Sequence, residues 1–170
     1  MADAERLYCI DSSSLIHLHR AYGPTTGASV WERVSKLIAD KRLFAPHYVL
    51  EEVDRGDDDL GKRCREFPGL FRQPTEEVAN IVGRVITTHE NLIKHVKAEN
   101  QADPWLIAWA IWETSRLQSD LFGGECVVVT QEGSKVGRIG DVASTYQLRC
   151  VNLDGMFELE GWSFTLTGPS

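Results

Sequence analysis

The sequence predicts an α/β fold, a three-layer α/β/α sandwich around a central, mainly parallel sheet. Three observations lead there. Residues 125–130 (Glu-Cys-Val-Val-Val-Thr) form a continuous β-branched run, the composition of a strand covered on both faces. Residues 7–10 (Leu-Tyr-Cys-Ile) form a second short apolar run that stops on Asp11. Segments of strand and helix character then alternate as βα…βα…α…αβαβ, the order that lays helices on a parallel sheet. The 170 residues suit one domain, residues 1–170, with its core in about 7–153.

The elements follow in order. After the first strand, Asp11 and three serines break the apolar run before Leu15, Ile16 and Leu18 begin a helix. Ser29 and Glu32 match a capping box, and Val30, Val34, Leu37 and Ile38 repeat at helical spacing as far as Lys41. Leu43-Phe44-Ala45 is a short apolar piece closed by Pro46, and Tyr48, Val49, Leu50 and Val53 form a further helical face that ends near Gly56. The acidic run 57–59 lacks the glycine and distal glutamate of an EF-hand loop and reads as a solvated turn. From Thr75 to about Ala98, Val78, Ile81, Val82, Val85, Ile86, His89, Leu92, Ile93 and Val96 trace one stripe of a long helix, with a bend expected near Gly83.

Asp103-Pro104 opens the next helix, an acidic N-cap before proline at the first helical position. That helix, to about Gln118, is apolar nearly all round, with Trp105, Trp109 and Trp112 on one side. Such a helix is either central to the fold or packed against a second chain, so a homodimer is one of two readings. Beyond the strand at 125–130, Asp141 is placed to cap a short helix through Tyr146, and residues 149–153 read as the last strand. The stretch 154–170 is expected to be a C-terminal extension or an edge strand, since Trp162, Phe164 and Leu166 alternate, or an arm on a partner.

Composition bounds the function. Apolar residues make up 42% and charged residues 25%, ordinary for a globular domain. The acidic N-terminus is unlike a signal peptide, and no apolar run approaches a membrane span, so a soluble cytoplasmic protein is expected. Cys9, Cys64, Cys126 and Cys150 form no CxxC pair, and His17, His19, His47, His89 and His95 show no zinc spacing. A net charge of −7 argues against a protein that merely coats nucleic acid, but not against an enzyme acting on it through one basic face. Arg55, Lys62, Arg63, Arg65 and Arg72 cluster in one third of the chain, with Lys135 and Arg138 near Glu132. They are candidates for a phosphate-binding face, with an ordinary solvated surface as the plain alternative.

Four acids stand where the chain leaves a strand or opens a helix: Asp11, Glu52, Asp103 and Glu132. With parallel strands they converge on the carboxyl edge of the sheet, where open α/β folds bind ligands. Carboxylates without His or Cys partners are hard oxygen donors, suited to Mg²⁺ or Mn²⁺. Without a cation they would raise one another's pKa. Asp11 also fits as a plain helix cap.

The ordered segments Ile-Asp-Ser-Ser (10–13), Pro-x-x-x-x-Glu-Glu-Val (46–53), Ala-Asp-Pro-Trp-Leu-Ile-Ala (102–108) and Val-Val-Thr-x-Glu (128–132) resemble a PIN domain, in its PIN-like group without established function. The resemblance covers residues 7–153. It implies a Mg²⁺- or Mn²⁺-dependent ribonuclease of the VapC toxin kind, with an antitoxin protein as partner. Asp11, Glu52 and Asp103 match three of that family's acids, Glu52 rather than Glu51 because an aliphatic residue follows. The fourth acid is usually aspartate, and here it is Glu132, with Asp141 in reserve for the role. By the same resemblance Ser12 and Thr130 hold waters or orient carboxylates. Asp11 and Asp103 hold the main ion, Glu52 assists it and orients water, and Glu132 helps hold a second. Two competitors are a PIN-like interaction module and a haloacid dehalogenase-type phosphatase. The latter wants an acid where Ser13 stands.

Overall fold

Residues Glu5–Ile10 (β1) lie at the centre of the sheet because both neighbours of this strand are themselves apolar runs. The computed structural model describes residues 4–56, 58–90, 102–133 and 137–164. β1 pairs in parallel with Leu43–Pro46 (β2) on one side and Gly124–Val129 (β4) on the other. Phe71–Arg72 (β3) and Cys150–Val151 (β5) flank these in the order β3-β2-β1-β4-β5, all parallel.

Side-chain alternation divides the core into two layers. Tyr8, Ile10, Leu43, Ala45, Val127 and Val129 face helices α1 (Ser12–Ala21), α2 (Ala28–Ala39), α3 (His47–Gly56) and α4 (Asp58–Arg65) and a final helix at Leu153–Leu159. Leu7, Cys9, Phe44, Cys126 and Val128 face α5 (Glu76–Thr88), α6 (Ala102–Ser119) and α7 (Ile139–Thr145), so Leu153–Leu159 is α8. Burial on both faces explains why β1 from Leu7 and β4 from Cys126 are apolar without a break, while the Arg6–Glu125 ion pair lies at their less buried starts. The fold is the expected three-layer α/β/α sandwich. Among the described residues no helix is long and apolar enough to cross a membrane.

Several boundaries differ from expectation. The capping box at Ser29 and Glu32 does not form: α2 starts at Ala28 with Gly27 as its cap and no side-chain cap bond. The turn Gly23–Gly27 sets that start, and a Cβ on Gly27 would lie 2.5 Å from Tyr22 Cβ. Residues 58 and 59 belong to α4 rather than a turn, and Asp57 lies outside the described residues. The two-residue β3 was not anticipated. Thr75 caps α5, which continues through Gly83 to Thr88, and the expected extension over 91–98 lies outside the described residues. α6 is central, with Leu106, Ile107, Ala108 and Trp109 buried against the sheet and α5, while Trp112 is exposed.

The last expected strand is shorter, and the described part of the tail, residues 161–164, forms no strand. Asn152 caps α8 by accepting from Gly155 N, which turns the chain onto the core at Leu153. Met156 and Phe157 are buried, and Trp162 and Phe164 pack against Phe157 beneath Arg33. Glu160 accepts from Tyr8 Oη at 2.6 Å and from both terminal guanidinium nitrogens of Arg42, tying the tail to β1. The described fold thus includes the chain as far as residue 164, and Leu166 lies outside the described residues.

Among the described residues, the one buried acid away from the carboxyl edge holds β3 in place. Glu113 on α6 accepts from Arg72 at 2.5 Å and from Arg116 at 2.7–2.8 Å, and Arg72 stacks 3.6 Å from the Phe44 ring centre. Glu113→Ala leaves both arginines without their acceptor in a partly desolvated setting. The expected loss is about 2–3 kcal/mol, below that of a fully buried pair, because both arginines keep some solvent. A lower urea midpoint with an unchanged slope is the readout.

Candidate functional site

The sheet order reverses between β1 and β4, and this opens a crevice at their carboxyl ends. Asp11 follows β1, and Thr130, Gln131 and Glu132 follow β4, so both segments border that crevice. α6 runs from the carboxyl edge back to the start of β4, which brings Asp103 in its first turn to the same edge. α3 leaves the end of β2 and contributes Glu52.

Asp11 is both helix cap and site residue. Its Oδ1 accepts from Ser14 N at 2.8 Å, Ser13 Oγ donates to both carboxylate oxygens at 2.8 Å, and Thr130 Oγ1 donates to Oδ2. Only 4% of the residue is exposed. Burial raises its pKa, and the bonds from Thr130, Ser14 and Ser13 pull it back.

Thr130 is the hub that joins the two strand ends. Besides donating to Asp11, its hydroxyl accepts from Glu132 N at 3.1 Å, while Gln131 N donates to Ser13 Oγ at 3.1 Å. Ser13 therefore belongs to the site. The sequence reading considered it only as a missing acid, although its place in Asp-Ser-Ser-Ser, two residues after the carboxylate, was the available signal. Thr130→Val keeps the shape and removes one donor from buried Asp11 and one acceptor from Glu132 N. The expected cost is about 1–3 kcal/mol of stability, read from urea denaturation.

Glu52 is half-buried and accepts from Ser12 Oγ at 2.7 Å and from the Ala102 N–H that opens α6. Burial raises its pKa first, and Asp11 adds to this, while Ser12, Ala102 and Arg55 oppose it. Glu132 is raised by burial and by Asp11, and Arg138, 3.9 Å away, opposes the rise. Asp103 is the most perturbed of the four: burial, then the charges of Glu132, Glu52 and Asp11, push it from 3.8 up to about 7. All three other acids act on Asp103, so the quartet that the sequence suggested shares one electrostatic neighbourhood.

The remaining candidates divide. Asp103 is the second residue of α6, one position inside the expected cap. Asp141 does not cap α7: the cap position is Arg138, and Asp141 accepts from Gly137 N at 2.9 Å. Of the basic residues, Arg138 and Arg55 stand beside the acids they stabilise. Arg63 stacks 3.9 Å from the Trp31 ring centre, Arg65 pairs with Asp54 and Arg72 with Glu113, so these three serve the fold rather than one basic face. Lys62 is exposed on α4, and Lys135 lies outside the described residues.

Among the described residues no three His, Cys, Asp or Glu side chains form a ready-made cation cage. Asp11, Glu52 and Glu132 each have a protein partner, in Thr130, Ser12 and Arg138 respectively. An all-oxygen donor set with one member held half-protonated near neutrality fits a hard divalent cation, whose charge would relieve the repulsion.

No curated protein matches the chain. The model of one family matches residues 8–164, nearly the whole of the described fold, and the chain therefore belongs to the family described as domain of unknown function DUF4411.

Proposed function

We propose that the protein is a metal-dependent nuclease that hydrolyses RNA phosphodiester bonds, a PIN-type ribonuclease and the toxin member of a toxin–antitoxin pair. The observation that carries this reading is the quartet Asp11, Glu52, Asp103 and Glu132 at the strand-order reversal, with Asp103 raised to about 7 by burial and then by the charges of the other three. Structural ion networks pair acids with bases, whereas the charges acting most strongly on Asp103 are those of the three other acids, ahead of Arg138. Asp11 and Asp103 would hold the main Mg²⁺ or Mn²⁺, Glu52 would assist, and Glu132 would help with a second. Bound there, the cation supplies Lewis acidity to phosphate oxygens and to water.

The chain's own residues then have defined tasks. Ser13 and Thr130 hold Asp11 in one orientation, and Ser12 does the same for Glu52. Glu52 orients water toward phosphorus, and Arg138 and Arg55 meet the phosphate charge. The antitoxin partner rests on the PIN resemblance, and the cytoplasmic setting on the composition of the sequence.

The test is to incubate labelled single-stranded RNA with the protein in Mg²⁺, Mn²⁺ or EDTA, beside a generic phosphate monoester. Cleavage of RNA alone, abolished by EDTA, supports the reading. Turnover of the monoester alone favours the phosphatase, against which Ser13 stands as a hydroxyl bonded to Asp11. No cation binding by calorimetry and no cleavage leave the interaction module.

A further inference from the structure

Beside Glu132, on the β5 side of the acids, lies a cleft of about 510 Å³. That volume falls within the range of small-molecule sites, roughly 300–1,000 Å³. Leu148, Cys150 and Val151 give it an apolar wall, and Gln131 and Asn152 give it a polar one. Its other polar side chains are engaged: Thr130 Oγ1 donates to Asp11, Ser144 Oγ donates to the Asp141 carbonyl, and Glu132, which also lines the cleft, faces Arg138 at 3.9 Å.

Both carboxamides are held by their oxygens. Gln131 Oε1 accepts from Leu153 N at 2.9 Å, and Asn152 Oδ1 accepts from Gly155 N at 2.9 Å. A backbone N–H can only donate, so each amide orientation is determined, and among the described residues neither NH₂ has a protein acceptor, which leaves both as donors for a ligand. The cleft therefore combines an apolar wall with two donor groups, next to the site where phosphate would be cut.

We propose that this cleft holds the base of the nucleotide adjoining the cleaved phosphate, and that Gln131 and Asn152 select bases whose edge carries acceptors. The proposal rests on the reading of the acids as a nuclease centre and names a substrate preference for it. Single-stranded RNA can splay a base outward to present such an edge. Uracil offers two carbonyl oxygens, and guanine offers O6 and N7, whereas adenine sets an amino donor beside N7. Uracil and guanine are thus matched to two donors, and adenine is mismatched at one.

The probe is uridine, with adenosine for comparison, titrated in EDTA and followed by NMR. Neither nucleoside carries a phosphate that a new carboxylate would repel. Uridine is expected to shift the side-chain amides of Gln131 and Asn152 and the backbone amides of Gly140 and Ser144, and to bind more tightly than adenosine. Gln131→Glu and Asn152→Asp keep the oxygen that accepts from Leu153 N and Gly155 N but remove the donors. Each should weaken uridine binding about tenfold, the worth of a well-made hydrogen bond. Asn152→Ser, a neutral cap without an NH₂, should weaken it likewise.

The proposal is overturned if uridine shifts none of these amides, if adenosine binds equally well, or if all three variants bind uridine like the wild type. A parallel Mn²⁺ titration separates it from the nuclease reading. Mn²⁺ binding with a silent cleft overturns the cleft alone, and uridine binding without Mn²⁺ binding overturns the nuclease centre alone.

Discussion

Asp11→Asn and Asp103→Asn are each expected to lower metal-dependent RNA cleavage at least about a hundredfold, the scale on which removal of one preorganised charge-stabilising group acts. Asparagine caps a helix as well as aspartate, so Asp11→Asn keeps the acceptor for Ser14 N. The hydroxyls of Ser13 and Thr130 can rotate to accept from its NH₂. The variant thus loses a charge and little of its fold. Glu132→Gln should lose less, about tenfold, because Glu132 serves only the second ion in this reading. Initial rates on labelled RNA in Mn²⁺, together with urea midpoints, separate chemistry from folding. Wild-type rates from both aspartate variants would sink the assignment.

The residues that were legible in the sequence are those whose local chemistry repeats their tertiary role. β1 and β4 were clear because burial on both faces demands an unbroken apolar run. Asp11 and Glu132 were found because each follows such a run. α4 was missed because its helix-forming reason is not in its own apolar stripe. Leu60 and Cys64 are its buried hydrophobic residues, and Arg63 stacks on Trp31 from α2. β3 has two residues, and its anchor is a guanidinium held by Glu113 on α6.

The same limit explains the basic cluster. A run of arginines looks like a phosphate-binding face until their partners are known, and Asp54 and Glu113 are fixed only by tertiary structure. Ser13 was overlooked for the opposite reason: serine after a strand has many ordinary uses, and its bond to Gln131 N exists only once β1 and β4 are neighbours. The edge-strand alternative for the tail is not met over 161–164: Trp162 and Phe164 alternate like a strand, while the preceding α8 and the Glu160 pair dock this segment on the core. In each case the unread information lies in a partner distant along the chain.

The second large effect is a pH dependence of cation binding, carried by Asp103. Its pKa is ordinarily 3.8 and is held at about 7 in the fold, so between those values the native protein keeps a proton that the unfolded chain has released. The contribution to stability is therefore full below pH 3.8 and is lost as pH rises through about 7. Asp103→Asn removes this loss, and its thermal midpoint should exceed that of the cation-free wild type at pH 8, with the gap closing toward pH 5. A divalent cation takes the opposite side, since it binds the carboxylate and must displace the proton. Mn²⁺ affinity is expected to rise about tenfold per pH unit below 7 and to level off above it. Asp11, Glu52 and Glu132 are also raised, so the proton belongs to the coupled quartet and the slope steepens at lower pH. Calorimetry in two buffers of different ionisation enthalpy counts the protons released, expected near one per cation at pH 6 and well below one at pH 8. Release that stays at zero across this range would mean that Asp103 is not a ligand.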